Sequence, residues 1–294
     1  MSTDRRDAPD AELGSAGARG GGGEACEFDV DVLVPTFGRP AALPIALVGL
    51  AGQVAPGAPR FRVVVSSQDE GEAWPAEVQA AAGILDALGV PVELRRHLPR
   101  RGLAEHREAL LDTATAPAVL FLDDDVWLAP RLLHRLHTTL RRERCGFVGS
   151  APAGWSYVRD HRPDEARVEP WNGPVRPERV SPDSLAWERH RLHSAANMVH
   201  AAERLGLGPD DTVAYKVAWI GGCVLYDTAA LRTAGGFGFW RDLPATHAGE
   251  DVVAELRVMA RAGGCGILPT GAWHLELPTT VPERDVDAPR FLGL

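Results

Sequence analysis

The chain has 294 residues, enough for one large α/β domain or two small ones. Apolar residues make up 45% and charged residues 24%, an ordinary balance for a soluble globular protein. Acids outnumber bases for a net charge of −9, which argues against a general nucleic-acid binder.

No segment reads as a transmembrane helix. The most apolar stretch, residues 41–58, is broken by Pro44, Gly49, Gly52, Gln53 and Pro56, although peripheral membrane contact stays open. Asp4, Arg5, Arg6, Asp7 and Asp10 stand where a signal peptide would need apolar residues, so a cytoplasmic protein is expected. Four separated cysteines with no CxxC pair suit reduced thiols better than zinc or disulfides.

In chain order, residues 1–26 read as a disordered tail, poor in large apolar side chains and carrying the run Gly20 to Gly23. Val30, Val32, Leu33 and Val34 predict a strand, closed by Pro35-Thr36-Phe37-Gly38-Arg39-Pro40. Leu43, Leu47 and Leu50 follow at helical spacing. Phe61 to Val65 predicts a second strand ending at Ser66-Ser67-Gln68-Asp69. Val78 to Leu88 predicts a helix, Val90 to Leu94 a strand, and Ala104 to Thr115 a helix. Val119 to Leu122 then reads as a fully buried strand that ends in Asp123, Asp124 and Asp125.

Pro130 suits a first helical turn, and Leu132, Leu133, Leu136 and Leu140 give that helix a core face. Phe147 to Gly149 is a short strand. Residues 151–185 are irregular, and a helix is expected over about 185–205. The stretch 213–226 is ordered around Gly221-Gly222, and Asp227-Thr228 caps a short helix. A helix begins at Glu250-Asp251, Cys265 to Leu268 is a last strand, and Trp273-His274 follows. The alternation of strand and helix predicts an α/β fold with a mainly parallel sheet, its ligands bound at the carboxyl ends of the strands.

Three adjacent carboxylates at the end of a buried strand repel one another unless a cation or hydrogen-bond donors neutralise them. A divalent metal is one answer, and a solvated acidic turn or helix cap is the other.

Four stretches in order resemble the family 2 glycosyltransferases of the GT-A (Rossmann-like) fold. They are residues 32–40, residues 101–107, the acid run 120–125, and Gly235-Gly236-Phe237 with Gly249-Glu250-Asp251. The resemblance covers roughly residues 29–275. It implies a single domain over 27–280, with residues 27–150 as a nucleotide-binding half, 151–280 as an acceptor-binding half, and 281–294 as a C-terminal tail. It also implies that Pro35, Thr36 and Arg39 hold the nucleotide. Ser66 and Ser67 stand where the family carries a base-reading aspartate, and Gln68 is the candidate to replace it. Arg107 matches a family arginine that reaches the nucleotide.

Asp123 and Asp125 match the DxD motif, with Asp124 between them. Asp125 would ligate Mn²⁺ or Mg²⁺, Asp123 would contact ribose or metal-bound water, and His274 would join the metal. Asp251, with Glu250 as understudy, would be the base of an inverting displacement; acids in a first helical turn also complement the helix dipole. Trp155, Trp219, Phe239 and Trp240 are either stacking surfaces or core. The implied donor is a nucleotide sugar, and the acceptor is a saccharide, lipid-linked or small-molecule hydroxyl. A nucleotidyltransferase that forms nucleotide sugars is a rival, disfavoured by the single glycine in the first loop. A non-catalytic nucleotide-sugar-binding module is another, disfavoured by the Glu250-Asp251 pair.

Overall fold

The computed structural model describes residues 26–71, 73–280 and 285–294. Apart from Cys26, the expected N-terminal tail lies outside the described residues. The first half alternates as predicted: β1 (Val30–Thr36), α1 (Leu43–Ala51), β2 (Phe61–Ser67), α2 (Ala76–Ala87), β3 (Val92–Arg96), α3 (Leu103–Asp112) and β4 (Ala118–Leu122). There follow β5 (Val126–Leu128), α4 (Leu132–Glu143), β6 (Phe147–Gly149), β7 (Ala153–Gly154), α5 (Asn197–Arg204), β8 (Val213–Tyr215), β9 (Cys223–Asp227) and α6 (Thr228–Thr233). The last elements are α7 (Glu250–Ala262), β10 (Gly264–Leu268), β11 (Ala272–His274) and α8 (Ala288–Phe291).

The main sheet has eight strands in the order β3-β2-β1-β4-β9-β6-β10-β8. β3, β2, β1 and β4 run parallel, as do β6 and β10, while β9 is antiparallel to both its neighbours and β8 to β10. Successive side chains on a strand face opposite sides. Val30, Val32 and Val34 of β1 therefore meet Leu47, Leu85 and Leu136 from α1, α2 and α4, whereas Leu33 meets Leu110 of α3 and the α6–α7 side. Each buried Leu or Val contributes roughly 1.5–3 kcal/mol.

β1 buries a charged residue near its start. Asp31 is fully buried, pairs with Arg62 at 2.6 Å, and accepts the N–H groups of Thr115 and Ala116 at 2.6 and 2.9 Å, pinning the entry to β4.

Two features differ from the sequence expectation. The helix expected over 185–205 is a 3₁₀ stretch (Leu185–His193) followed by α5, because Ala195 takes φ +54° and its carbonyl accepts the Gly154 N–H. Residues 285–294, expected within a tail, fold back with Ala288 fully buried against the α7 side of the core. Among the described residues, no helix is long and apolar enough to cross a membrane.

Candidate functional site

β1, β2 and β4 end side by side, so the first loop, Gln68 and the acid turn meet at one edge of the sheet. Thr36 donates to Asp124 Oδ2 at 2.6 Å, and Arg39 Nη1 reaches Asp124 Oδ1 at 3.1 Å and also contacts Asp125 Oδ2. The second Arg39 nitrogen donates to the Pro278 carbonyl. Burial pushes Asp124 up to about 6, opposed by the Thr36 hydrogen bond and Arg39, and burial also raises Asp125.

A small second sheet, β5-β11-β7, brings a distant segment to this turn. β11 runs antiparallel to β5 with His274 opposite Val126, and the Leu275 N–H binds the Asp125 carbonyl at 2.8 Å. His274 Nε2 thereby faces Asp125 Oδ2 across 3.3 Å. Its Nδ1 accepts the Glu276 N–H at 2.8 Å, which places the proton of a neutral ring on Nε2.

The residues after β2 divide their labour. Ser66 bonds His106 at 2.8 Å, and Ser67 bonds Asp69 and Arg96 at 2.9 Å each. Asp69 in turn accepts the Gly38 N–H and holds the first loop. Gln68 is buried, and its amide nitrogen has no hydrogen-bond partner among the described residues. It lines a cavity of about 480 Å³ together with Pro35, Thr36, Arg39, His106 and Asp123–Asp125. Burial pushes His106 down to about 3, so it is neutral there. In the sequence His106 carries no signal of its own, being one histidine on an amphipathic helix.

A second cavity, about 490 Å³, opens on the other side of Asp123. Trp219, Tyr157, His190 and the Gly221-Gly222 pair line it, and it shares Asp123 and His274 with the first cavity. Trp219 is thus at the site. Trp155 is 54% exposed and stacks on Trp273 at 3.8 Å, whereas Phe239 is core and Trp240 packs against it.

Arg107 joins the two sides. It is buried, donating from Nε to Glu250 Oε1 at 3.0 Å and from Nη2 to Asp123 Oδ1 at 2.8 Å. Glu250 and Asp251 open α7 behind Gly249, and Glu250 is spent on this ion pair. Asp251 accepts its neighbour's N–H (Val252) through Oδ1, and its Oδ2 points toward Gly221, where an added Cβ would lie 3.4 Å away. It stands behind the glycine that lines the second cavity. Burial, then the Glu250 charge, pushes Asp251 up to about 7, against the pull of Arg107.

One turn further on, Glu255 is fully buried. Its Oε2 accepts the Ile220 N–H at 2.8 Å, its Oε1 is unpartnered among the described residues, and burial pushes its pKa well above the ordinary carboxylate value. Sequence reasoning missed it, since one acid on an otherwise apolar helix face reads as solvated.

Among the described residues, no group of three or more His, Cys, Asp or Glu side chains is arranged to hold a metal ion, so Asp123, Asp125 and His274 are not gathered into a three-residue metal site. The structure brings Pro35, Thr36, Arg39, Gln68, Asp123, Asp124, Asp125 and His274 to one cavity. Arg107 links Asp123 to Glu250, with Asp251 beside it.

No curated protein matches the chain. Among solved structures, S. aureus TarS 1-349 in complex with UDP-GlcNAc is similar at a TM-score of 0.55 and 13% identity, over 86% of this chain and 60% of that one. TarS 1-349 alone gives 0.52 and 13%, over 84% and 60%. The chain therefore spans less than two thirds of the length of these structures. They share its GT-A fold. The sequence model of glycosyl transferase family 2 matches residues 31–195, more than half of the chain, and the chain belongs to that family.

Proposed function

We propose that the protein is an inverting glycosyltransferase that moves one sugar from a nucleotide-sugar donor to a hydroxyl acceptor. The observation that carries this reading is the pair of cavities meeting at Asp123 and His274, with Arg107 tying Asp123 to the acid pair at the start of α7. The donor fills the first cavity, with Pro35, Thr36 and Arg39 around the nucleotide and the free Gln68 amide on the base. The acceptor, a saccharide, lipid-linked or small-molecule hydroxyl, enters the second. Residues of 27–150 supply most of the first cavity, with 245–280 completing it, and residues of 151–280 supply most of the second. Four free cysteines suit a cytoplasmic setting.

Asp125 fits a divalent metal: its carboxylate lines the first cavity beside His274, paired there with Arg39 and His274, and Mg²⁺ or Mn²⁺ takes only one or two protein carboxylates, with phosphates and water completing its shell. Asp125 would hold the ion with Asp123 beside it. His274 would reach it only by giving up the Glu276 contact. The ion would stabilise the charge that grows on the departing diphosphate.

The chain's own residues do the rest. Arg107 orients Asp123, and its charge opposes the burial that raises Glu250. Asp251, at about 7, is suited to take the acceptor proton near neutrality. In this reading the acceptor oxygen would lie on the glycine side of the second cavity, because Asp251 Oδ2 stands behind Gly221.

Asp251→Asn keeps shape and removes the base. Transfer should fall about 10²–10⁴-fold, while nucleotide affinity in calorimetry stays within about threefold. Near-normal turnover by this variant would remove Asp251 as the base.

A further inference from the structure

The α1 helix lies on the surface without one polar side chain. Leu43, Leu47 and Leu50 enter the core, but Ile45 and Val48 on the outer side are 47% and 46% exposed, as is Val54 just beyond at 42%. A surface helix ordinarily turns charge outward. Here no charged residue occurs from 40 to 59.

This apolar face runs into a basic one. The Gly52 carbonyl accepts the Arg131 N–H at 3.3 Å, and Gln53 Oε1 accepts the Leu133 N–H at 3.0 Å, so the end of α1 is fixed to the start of α4. The α4 segment then presents Arg131, Arg141, Arg142 and Arg144, all exposed, over roughly 20 Å at 1.5 Å per residue. Arg135 is held inward by Thr212 and the Pro269 carbonyl. The acids facing this row are Asp210, paired with Arg131, with Asp211 beside it, Glu143, paired with Arg142, and Asp227, which shares a cavity with Arg141 and Arg144; among the described residues Arg141 and Arg144 have no ion pair. α1, α2 and α4 cover the same face of the sheet, so their outer sides form one surface. α2 adds exposed Ile84 and Leu88 but also Glu77 and Asp86, which centres the contact on α1 and α4.

We propose that this helix layer docks on an anionic lipid bilayer, with Ile45, Val48 and Val54 entering the interface and the α4 arginines meeting the headgroup phosphates. Charge complementarity selects the occupant. The chain carries −9 overall, so only a locally basic face can approach an anionic surface closely. A two-fold contact between copies would set the same patch against itself, arginine against arginine. The docked face starts beside Arg39 of the donor cavity, so the membrane would lie close to the site. This inference does not rest on the transfer chemistry.

Sedimentation of the full chain with vesicles tests it. Binding is expected to phosphatidylcholine vesicles doped with phosphatidylglycerol, about tenfold weaker to phosphatidylcholine alone, and weakened by high salt. Arg141→Gln/Arg142→Gln/Arg144→Gln should weaken binding about a hundredfold and, separately, Ile45→Ser/Val48→Ser about tenfold, each at unchanged melting temperature. The serine pair adds no charge, so its effect reads apolar insertion alone. Failure to bind the doped vesicles, or binding that either variant leaves intact, would overturn the proposal. So would a concentration-dependent dimer that Ile45→Ser/Val48→Ser dissolves, which would give the face to a second copy.

Discussion

Arg107 decides how the candidate site is wired. On sequence it is one charge among several on a helix. In the fold it is buried and bridges Asp123 and Glu250, two acids 127 positions apart in the chain. Removing one partner of a buried pair strands the others and costs about 3–5 kcal/mol. Arg107→Met should therefore lower the denaturation midpoint and weaken nucleotide binding through Asp123. It should also move the pH profile, because Arg107 is the charge that holds the Asp251 pKa down. If Asp251 is the base, kcat/KM rises with pH to a plateau above about 7 in the native chain, and in Arg107→Met that rise shifts alkaline. Arg107→Lys keeps the charge but not the two-pronged geometry, and should fall between the two. Profiles measured between pH 5 and 9 check the order. Glu255 invites a parallel comparison. Gln in its place still accepts the Ile220 N–H, whereas Leu strands a buried donor at about 1–3 kcal/mol, readable in urea unfolding.

The elements explain which parts of the site were legible in the sequence. Strands of five to seven residues with continuous Val and Leu, each followed by a helical stripe, announce themselves by period, and so do the polar residues that end them. Asp123 to Asp125 stand out that way, whereas the roles of Thr36 and Gln68 are implied only by the family resemblance. The β5-β11-β7 sheet was not, since strands of two or three residues show no period, yet β11 is what carries His274 to Asp125. Nor could sequence reveal that β9 runs antiparallel between β4 and β6, which is what sets the Gly221-Gly222 turn against the acids. That turn is tight. The Gly222 carbonyl accepts the Asp123 N–H at 2.9 Å, and Gly222 holds φ +75° with Pro152 Cγ 3.1 Å from where a Cβ would sit. Gly222→Ala should destabilise by about 1 kcal/mol or more and displace Asp123. Gly221 has ordinary φ and meets nothing nearer than Asp251 Oδ2 at 3.4 Å. Gly221→Ala should therefore melt like the native chain but transfer at least about tenfold more slowly, by narrowing the cavity where a 1 Å displacement is felt strongly. Equal loss of stability in both variants would mean that the pair shapes the turn and not the cavity.

At the scale of the whole molecule, the site stores charge against the fold. Asp251 ionises at about 7 in the folded chain and near 3.8 when unfolded, so between those values the folded state binds the extra proton. Stability from this group is full below about 4 and is lost as pH rises through about 7. Glu250 and Glu255, both raised by burial, act in the same direction. The buried histidines oppose them. His106 and His193, pushed by burial down to about 3 and about 4, are charged only in the unfolded chain over that range, so they make stability rise with pH up to about 6.5. The two sets overlap, and the wild-type curve alone cannot separate them. Asp251→Asn does. Asparagine mimics the protonated acid and keeps an oxygen for the Val252 N–H, so it removes the acid's pH dependence and leaves the histidines untouched. The variant should be more stable than the native chain at pH 8. The difference should shrink between about pH 7 and 4 and vanish below, with each kcal/mol worth about 2–4 °C in melting temperature. Melts at pH 8, 6 and 4 measure it. A variant less stable than the native chain at pH 8 would mean that the Asp251 charge is compensated in the fold, and that its pKa is not held near neutrality. A more stable but inactive protein is the expected mark of a carboxylate kept in place for chemistry at the expense of the fold.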